Sequence, residues 1–447
     1  MKKILFYIVL SAFFIACSGK LKQINEPNLQ TIKLQELNLS KEWWKSYENE
    51  DLNAFITYIE QNNADINIAR INLLKAVANY KLINFDMYPS LSGNLGANVA
   101  KDLNLGTQSK SFSNSLNLSY ELDIYGKISN QISSKEFSAK ASEYDLENLR
   151  LSTINSSIDY IFDLAYFNDV ENLLKEYILN LEQSYEIYKL KYELGKVEEL
   201  EFLNMEQSLY QARQNLLSNQ QNKELVIKNI KDLLGQQEGF LRLKNFESLS
   251  LTDFKDLNIS FDLPLEIFAY RADVRSKANA LFAAFEDTKA AKKAILPSVS
   301  LGGSLSGSDE KFNPSFKYLN LGGALQISLP FLDFARVRQN IKISEFSYEA
   351  LRLEYEQALQ VALNEFYLCY KDYEFNKKLL ENIRLINAKQ ELITKAYAQK
   401  YELGKSELKD FLDAQNSFIS SSQEILSSRL KVLKTTNLYY KITTIKP

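Results

Sequence analysis

The hexapeptide "KYELGK" occupies residues 191–196 and recurs unchanged at residues 400–405. Both copies are flanked by long stretches without Gly or Pro: 127–194 and 196–234 around the first, and 331–403 and 405–446 around the second. Glycine is the residue that most readily adopts the left-handed conformation in which helices end. Each copy therefore predicts the turn of an antiparallel helical hairpin, whose longer arm of roughly 70 residues would extend about 100 Å. Helices of that length are typical of coiled coils or helical barrels.

Between the helical stretches, apolar residues change from helical spacing to strict alternation. The stretch "SFSNSLNLSYELD" at 111–123 places Phe and Leu on one face and Ser and Asn on the other. Similar patterns predict β-hairpins at about 90–123 and 298–329. Strands of roughly ten residues with one apolar and one polar face are typical of membrane β-barrels. The alternative, two soluble hairpins packed on a core, is disfavoured because the flanking helices are too long to supply a compact core.

The same order of elements runs twice along the chain. Residues 50–240 contain helices, a Pro-Ser dipeptide, a β-hairpin and a long helical hairpin with its tip at 194–196. The same elements recur in 263–447, where the tip lies at 403–405. Residues 241–262 link the two repeats. One chain supplies four strands, and open sheet edges are not tolerated in lipid, so closure requires further copies. Three copies would give a 12-stranded barrel continuous with a long α-helical barrel, and counting alone also permits a dimer with eight strands.

The N-terminus has the pattern of a bacterial signal peptide. In residues 1–16, two lysines precede an apolar run that is too short to span a bilayer. The small residue before Cys17 resembles a lipobox, which would make Cys17 the lipidated first residue of the mature protein. Residues 17–49 would then form an extended segment, and Ser18 in place of Asp favours the outer membrane. An ordinary signal peptide and an uncleaved anchor are the alternatives.

Composition excludes several classes of function. The formal net charge of −3 gives no sign of a nucleic-acid-binding surface. The chain has no His, the commonest general base and transition-metal ligand, and its two Cys cannot form a disulfide framework or a Cys-rich zinc site. Without a Gly-rich phosphate loop as well, the sequence predicts no enzyme, no cofactor and no metal centre.

Three further stretches carry a resemblance to a known family. They are "EWWKSYENEDLNAFITYIEQNNADINIARINLLKA" from Glu42, "YELDIYGK" from Tyr120 and "YRADVRSKANALFAAFEDTKAAKKAILPSVSLGG" from Tyr270. In this order and spacing they resemble TolC-like outer membrane efflux proteins, most closely the OprM/NodT-like lipoproteins, over nearly the whole mature chain. Ala272 stands where that subgroup usually has Pro.

The resemblance implies a fold, a function and partners. The fold would be mainly α with a membrane β-barrel part, as a homotrimer in the outer membrane of a Gram-negative bacterium. The function would be that of a passive exit duct for drugs or other small molecules. The implied partners are a periplasmic membrane-fusion (adaptor) protein, an inner-membrane pump of the resistance-nodulation-division (RND) type, and outer membrane lipid.

The resemblance also implies roles for residues at the two turns. Adaptor hairpins would dock on Leu194, Gly195, Lys196, Leu403, Gly404 and Lys405. A pore constriction would include Asp410 and Asp413, whose i, i+3 spacing places both carboxylates on one helix face. Tyr401 would donate its hydroxyl to Glu201 within one protomer. Because rings of carboxylates select cations, Asp410 and Asp413 are also candidates for cation binding. The plain alternatives are a solvated helix face and hairpin turns without a partner.

Two rival functions remain at this point. A type I protein-secretion duct shares the same architecture. A structural or adhesive coiled-coil surface lipoprotein explains Cys17 and the helices, but it leaves the alternating strands unexplained.

Overall fold

The computed structural model describes residues 42–235, 246, 248–317 and 319–444, which all belong to one unit of the chain, residues 39–447. The signal peptide and the lipidation site predicted at Cys17 lie outside the described residues.

Helices make up most of the described chain, which confirms the mainly helical class. They are α1 (Glu50–Asn62), α2 (Ala64–Asn84), α3 (Lys127–Glu193), α4 (Glu199–Leu234), α5 (Ala272–Lys293), the short α6 (Phe312–Ser315), α7 (Phe334–Glu402) and α8 (Leu408–Thr443). The long arms α3 and α7 end at the two repeated turns, and the shorter arms α4 and α8 return from them. Each shorter arm begins a few residues later than its glycine-free stretch, because the turn itself takes those residues.

The helices form four columns side by side, in the order α2/α4, α3, α5/α8 and α7. Both α2 and α4 pack along α3, and both α5 and α8 pack between α3 and α7. Polar contacts follow the same order: Asn437 of α8 donates to Asp159 of α3 at 2.8 Å, and Lys277 of α5 pairs with Glu354 of α7 at 2.7 Å. The Asn63 side chain donates to the Leu233 carbonyl at 3.0 Å and thereby joins the end of α4 to the start of α2.

The strands β1 (Ser90–Lys101), β2 (Gln108–Leu122), β3 (Ser298–Asp309) and β4 (Asn320–Ser328) form one antiparallel sheet in sequence order. Leu118 pairs with Leu91 on one side and with Gly303 on the other, so the apolar residues of all four strands share a face. Among the described strands, the outer edges of β1 and β4 have no partner.

The register assigns each strand residue to one of two faces. The apolar sheet face consists mainly of Leu91, Leu95, Ala97, Val99, Phe112, Leu116, Leu118, Tyr120, Leu122, Val299, Leu301, Leu305, Leu321, Leu325 and Ile327. The polar sheet face carries Ser92, Asn94, Asn98, Ser111, Ser113, Ser115, Asn117, Ser119, Glu121, Ser300, Ser304, Ser306, Ser308, Asn320, Gln326 and Ser328. The alternation seen in the sequence is therefore a property of the folded sheet.

The main apolar core lies at mid-height of the columns. Trp43, Trp44 and Tyr47 are buried there together with Phe246 and Phe254 of the segment between the repeats, against the middle of α3 and the end of α4. The described end of the segment 17–49 is therefore not extended: Trp43–Tyr47 is a 3-10 turn. The turn directs all three aromatic rings into the core, where an extended chain would have left alternate rings exposed.

None of the described helices has an apolar stretch long enough to cross a bilayer.

Candidate functional site

Both "KYELGK" turns are closed by the same pair of backbone hydrogen bonds. The N–H of Gly195, whose φ is +68°, donates to the Tyr192 carbonyl at 2.9 Å, and the N–H of Lys196 donates to the Lys191 carbonyl at 2.8 Å. The second turn repeats both bonds at the same lengths, with Gly404 at φ +65°. These are the two bonds of the Schellman motif, which ends a helix and satisfies its last carbonyls.

The turn residues lie at the surface of the chain. Leu194 is 58% exposed, Leu403 is 69% exposed, and Lys196 and Lys405 are exposed as well. No atom lies within 4 Å of a Cβ built on either turn glycine. The need for glycine therefore comes from the backbone conformation and not from lack of space.

The two helical hairpins are joined just above their turns. The Tyr177 hydroxyl of α3 donates to Asn416 Oδ1 of α8 at 2.8 Å. Around it lies an apolar cluster from α3, α4 and α8, which consists of Tyr177, Ile178, Leu181, Tyr188, Met205, Leu209, Ala212, Leu408 and Leu412. The start of α8 is therefore held on the first hairpin.

Asp410 and Asp413 lie on the exposed side of α8, while Leu408 and Leu412 are buried. The Ser406 hydroxyl, just before the helix, donates to Asp410 Oδ2 at 3.1 Å. Asp410 is in the first turn of α8, where the helix dipole favours a negative charge. Both carboxylates are thus presented on one surface next to the turn, as their spacing predicted.

Tyr401 has different neighbours from those predicted. Its ring stacks on Phe411 with centroids 6.3 Å apart, lies 6.2 Å from the ring of Tyr188, and is 6.0 Å from Lys191 Nζ. Among the described contacts there is no hydrogen bond from Tyr401 to the half-buried Glu201, so the expected bond is not formed in this chain. The aromatic rings on α3 and α8 hold the phenol in another position.

Tyr188 and Lys191 were not predicted as tip residues. Lys191 Nζ lies 5.1 Å from the centroid of the Tyr188 ring on the same helix and 6.0 Å from that of Tyr401, so the second of these cation–π contacts joins the two hairpins. The sequence feature that could have predicted them is the run of tyrosines at 185, 188 and 192, because this spacing places the three rings on one side of a helix.

A buried polar network lies at mid-height, far along the chain from either turn. Trp43 Nε1 donates to Asn437 Oδ1 at 2.8 Å, and Asn437 Nδ2 donates to Asp159 Oδ1 at 2.8 Å. Burial raises the pKa of Asp159 to about 6, although the Asn437 hydrogen bond and the charge of Lys434 both lower it. Lys434 is itself paired with Asp163 at 2.6 Å. The network joins the N-terminal turn, α3 and α8.

Within the part of the chain that the structure describes, no three carboxylate or thiol side chains are grouped so as to hold a metal ion. A cation at Asp410 and Asp413 would therefore need carboxylates from further copies.

Comparison with known proteins gives consistent results. The model of the family described as "Outer membrane efflux protein" matches residues 56–236 and again 263–442. Toxin and drug export protein A of Aggregatibacter actinomycetemcomitans is 31% identical over 412 residues, which cover 91% of this chain and 89% of that protein. The cation efflux system protein CusC of Escherichia coli K12 is 24% identical over 391 residues, or 86% of this chain and 84% of that protein.

Among solved structures, the Campylobacter jejuni CmeC outer membrane channel has a similar fold. It superposes with a TM-score of 0.82 at 23% sequence identity, covering 95% of this chain and 93% of that one.

Proposed function

This chain belongs to the outer membrane efflux protein family, and from that premise we propose that three copies of it form a passive exit duct through the outer membrane. The duct carries drugs or other small molecules that an inner-membrane RND-type pump delivers through a periplasmic adaptor. It is anchored by lipid at Cys17, and most of its length lies in the periplasm.

The observation that carries the proposal is the distribution of exposed apolar side chains over the four helical columns. On the two outer columns, large apolar residues are exposed along the whole length: Ile68, Ile71, Leu74 and Leu82 of α2, Leu200, Leu203, Tyr210, Leu217 and Leu225 of α4, and Ile343, Phe346, Leu353, Val361, Leu368, Phe375, Leu385 and Leu392 among others of α7. Of the two inner columns, α5/α8 exposes no large apolar residue within the described chain, and α3 exposes Leu179, Ile187, Leu190 and Tyr192 near its tip.

Exposed apolar rows of this length indicate surfaces that another molecule covers. The column α7 of one copy fits beside the column α2/α4 of the next, and this contact repeats around a closed ring. The sheet supports the same arrangement, because β4 of one copy would pair with β1 of the next and leave no open edge in lipid. Three copies make a 12-stranded barrel above 12 helical columns.

The two turns would then form a ring of six similar tips at the periplasmic end. We assign adaptor docking to Leu194, Gly195 and Lys196 in the first repeat and to Leu403, Gly404 and Lys405 in the second. Their exposure and their equal backbone geometry support this assignment.

We assign the pore constriction to Asp410 and Asp413 of α8, with Tyr401 and Glu201 beside it. Three copies would place two stacked rings of carboxylates at the narrow end of the tube. Such rings attract cations and hold them there.

A deletion strain tests the proposed function. Cells without the protein should accumulate several pump substrates, and the wild-type chain should restore efflux. A protein truncated before α8 provides a negative control. Unchanged accumulation of every drug in the deletion strain would contradict a role in efflux.

The second candidate is a protein-secretion duct. The observation in its favour is the name of the relative from Aggregatibacter actinomycetemcomitans, which joins toxin export with drug export. Measuring secreted proteins in the same deletion strain separates the two: loss of a secreted protein with unchanged drug accumulation favours secretion.

A further inference from the structure

The loop between β3 and β4 covers one end of the apolar sheet face. The Asn114 side chain, which lies on this face of β2, donates to the Ser315 carbonyl of α6 at 2.8 Å, and both residues are buried. A Cβ at Gly307, the residue paired with Asn114, would lie 2.0 Å from that carbonyl oxygen. The loop is therefore pressed onto the apolar face and leaves the polar face of the sheet uncovered.

The next row of the same face is aromatic. The ring of Phe112 lies 5.9 Å from that of Phe312, which in turn lies 5.3 Å from Phe316, and both pairs meet edge to face. Phe312 is 54% exposed and Phe316 is 46% exposed. The folded loop thus adds two partly exposed rings to the row that Phe112 begins.

The row beyond the aromatic rings is basic. Lys110 pairs with Val99, and Lys101 follows Val99 by two residues on the same face of β1, so the two lysines are diagonal neighbours. Both are exposed, and no described ion pair includes either of them. Two nearby carboxylates accept local hydrogen bonds: Asp102 accepts the backbone N–H groups of Asn104 and Leu105, and Asp309, which pairs with Phe112 on this face, accepts the backbone N–H of Lys311 at 2.9 Å.

The polar face shows no such gradient. Along the described strands it carries Ser and Asn in nearly every row, and its single charged residue, Glu121, lies at the opposite end, paired with Lys127 at 2.8 Å. The order of aliphatic, aromatic and basic rows belongs to the apolar face alone.

The aliphatic, aromatic and basic rows follow the same order as the hydrocarbon region, its boundary and the anionic headgroups of one membrane leaflet. The ten residue-to-residue steps from Leu122 to Phe112 span about 34 Å of strand, which a tilt of about 40° reduces to the apolar band of about 25 Å found in outer membrane barrels. Aromatic rings are preferred at the boundary of the hydrocarbon region, and lysines are attracted to the anionic groups beyond it.

We propose that Lys101 and Lys110 bind the phosphate groups of a lipid in the outer leaflet, while Phe112, Phe312 and Phe316 pack against its upper acyl chains. This inference rests on the proposed function, because it requires the strands to lie in the membrane. The β3–β4 loop contributes to this binding, because the hydrogen bond between Asn114 and Ser315 holds the rings of Phe312 and Phe316 at the depth of the upper acyl chains.

The test compares lipids retained by the purified chain. The wild-type protein in detergent is incubated with equal amounts of bis-phosphorylated lipid A and its dephosphorylated form, and bound lipid is counted by native mass spectrometry. The wild type should retain the phosphorylated form preferentially, and the K101Q/K110Q variant should lose about tenfold or more of that preference. The matched control K75Q/K81Q, which removes two exposed lysines from α2, should keep it.

Three results would overturn the assignment: equal retention of both lipids by the wild type, equal loss in the control variant, or displacement of the lipid by millimolar inorganic phosphate alone. Single-channel conductance, measured on the same preparations, separates this inference from the proposed function. K101Q/K110Q should conduct like the wild type, whereas a wild type that does not conduct counts against the duct and not against the lysine row.

Discussion

At the start of α8, Asp410 and Asp413 present two carboxylates on one exposed surface. If they form the constriction, replacing both with Ala should raise single-channel conductance and weaken block by divalent cations, because two rings of negative charge and the space they occupy are lost. Planar bilayers with and without added Ca²⁺ provide the measurement.

The control for this pair is E193A/E402A, which removes two exposed carboxylates from the ends of α3 and α7. It should leave conductance and Ca²⁺ block unchanged. If D410A/D413A behaves like this control, the constriction lies elsewhere.

Tyr401 contributes through its ring. Because each aromatic contact is worth about 0.5–1.5 kcal/mol, Y401A should loosen the tip and increase spontaneous opening events in bilayer recordings. Y401F keeps the ring contacts with Tyr188 and Phe411 and should resemble the wild type. Equal effects of both substitutions would show that the hydroxyl is needed, as the expected bond to Glu201 requires.

Asp159 gives the fold a dependence on pH. Its pKa of about 6 in the folded chain lies above the ordinary value of 3.8. The folded state therefore holds this proton more tightly than the unfolded state does, and its stability falls as pH rises from about 4 to about 6 and is level above that. Burial of Asp159 in its charged form costs about 2–3 kcal/mol at neutral pH.

The substitution D159N removes this titration. Relative to D159N, the wild type should gain stability when the pH is lowered from 7 to 4, as measured by thermal unfolding of the detergent-solubilised protein. The control D65N changes an exposed carboxylate on α2 and should follow the wild-type pH profile. A constant difference between wild type and D159N at all pH values would refute the raised pKa.

Residues at the tips could be predicted only in part. The positions of Gly195 and Gly404 follow from the local rule that a helix ends in a left-handed residue. The neighbours of Tyr401 do not, because Tyr188 lies 213 positions earlier in the chain and meets it only when the ends of α3 and α7 come together in the folded chain. The family resemblance predicted Glu201 as the partner of Tyr401, but in the folded chain the rings of Tyr188 and Phe411 pack against Tyr401.

At the scale of elements, the repeated turns invite a direct test. Valine at 195 and 404 would be strained at positive φ by about 1–2 kcal/mol at each position, whereas asparagine tolerates that conformation. The double variant G195V/G404V should lose drug efflux while trimers still form in the outer membrane. The variant G195N/G404N should retain efflux, and normal efflux by the valine variant would count against docking at the turns.

The helical hairpins and the strands could be predicted from the sequence, because scarce Gly and Pro leave long helical stretches and because apolar and polar residues alternate strictly along the strands. No local sequence pattern predicted the 3-10 turn at Trp43–Tyr47. It depends on a pocket built from residues more than 100 positions away, such as Phe162 and Phe254, whose rings contact Tyr47 at 5.2 and 6.3 Å. The folded β3–β4 loop is a further case, since Asn114 stands at an apolar position of the pattern and meets Ser315 only in the folded sheet.

At the scale of the molecule, the proposed assembly rests on the two outer helical columns. Leu353 and Leu368 of α7 are 54% and 60% exposed in the single chain. If α7 packs on α2/α4 of the next copy, L353E/L368E would bury charges without partners and should prevent trimers from forming. The control L353M/L368M keeps both positions apolar. Native mass spectrometry of detergent extracts should find trimers in this control and monomers in L353E/L368E.

The family was predictable from motif order, and the match of the family model to both halves of the chain confirms that recognition. The order of the columns was not predictable, because sequence gives the length of a helix but not which long helix lies beside which. That order is the basis of the proposal that α2/α4 and α7 contact other copies.

The central claim is that this chain forms a trimeric duct through a membrane, and single-channel recording tests it most directly. Purified trimers of the wild-type chain, added to a planar bilayer, should insert and give discrete conductance steps of uniform size, whereas monomeric L353E/L368E should give none. A bilayer that stays silent with wild-type trimers, or the same steps from the monomeric variant, would contradict the account.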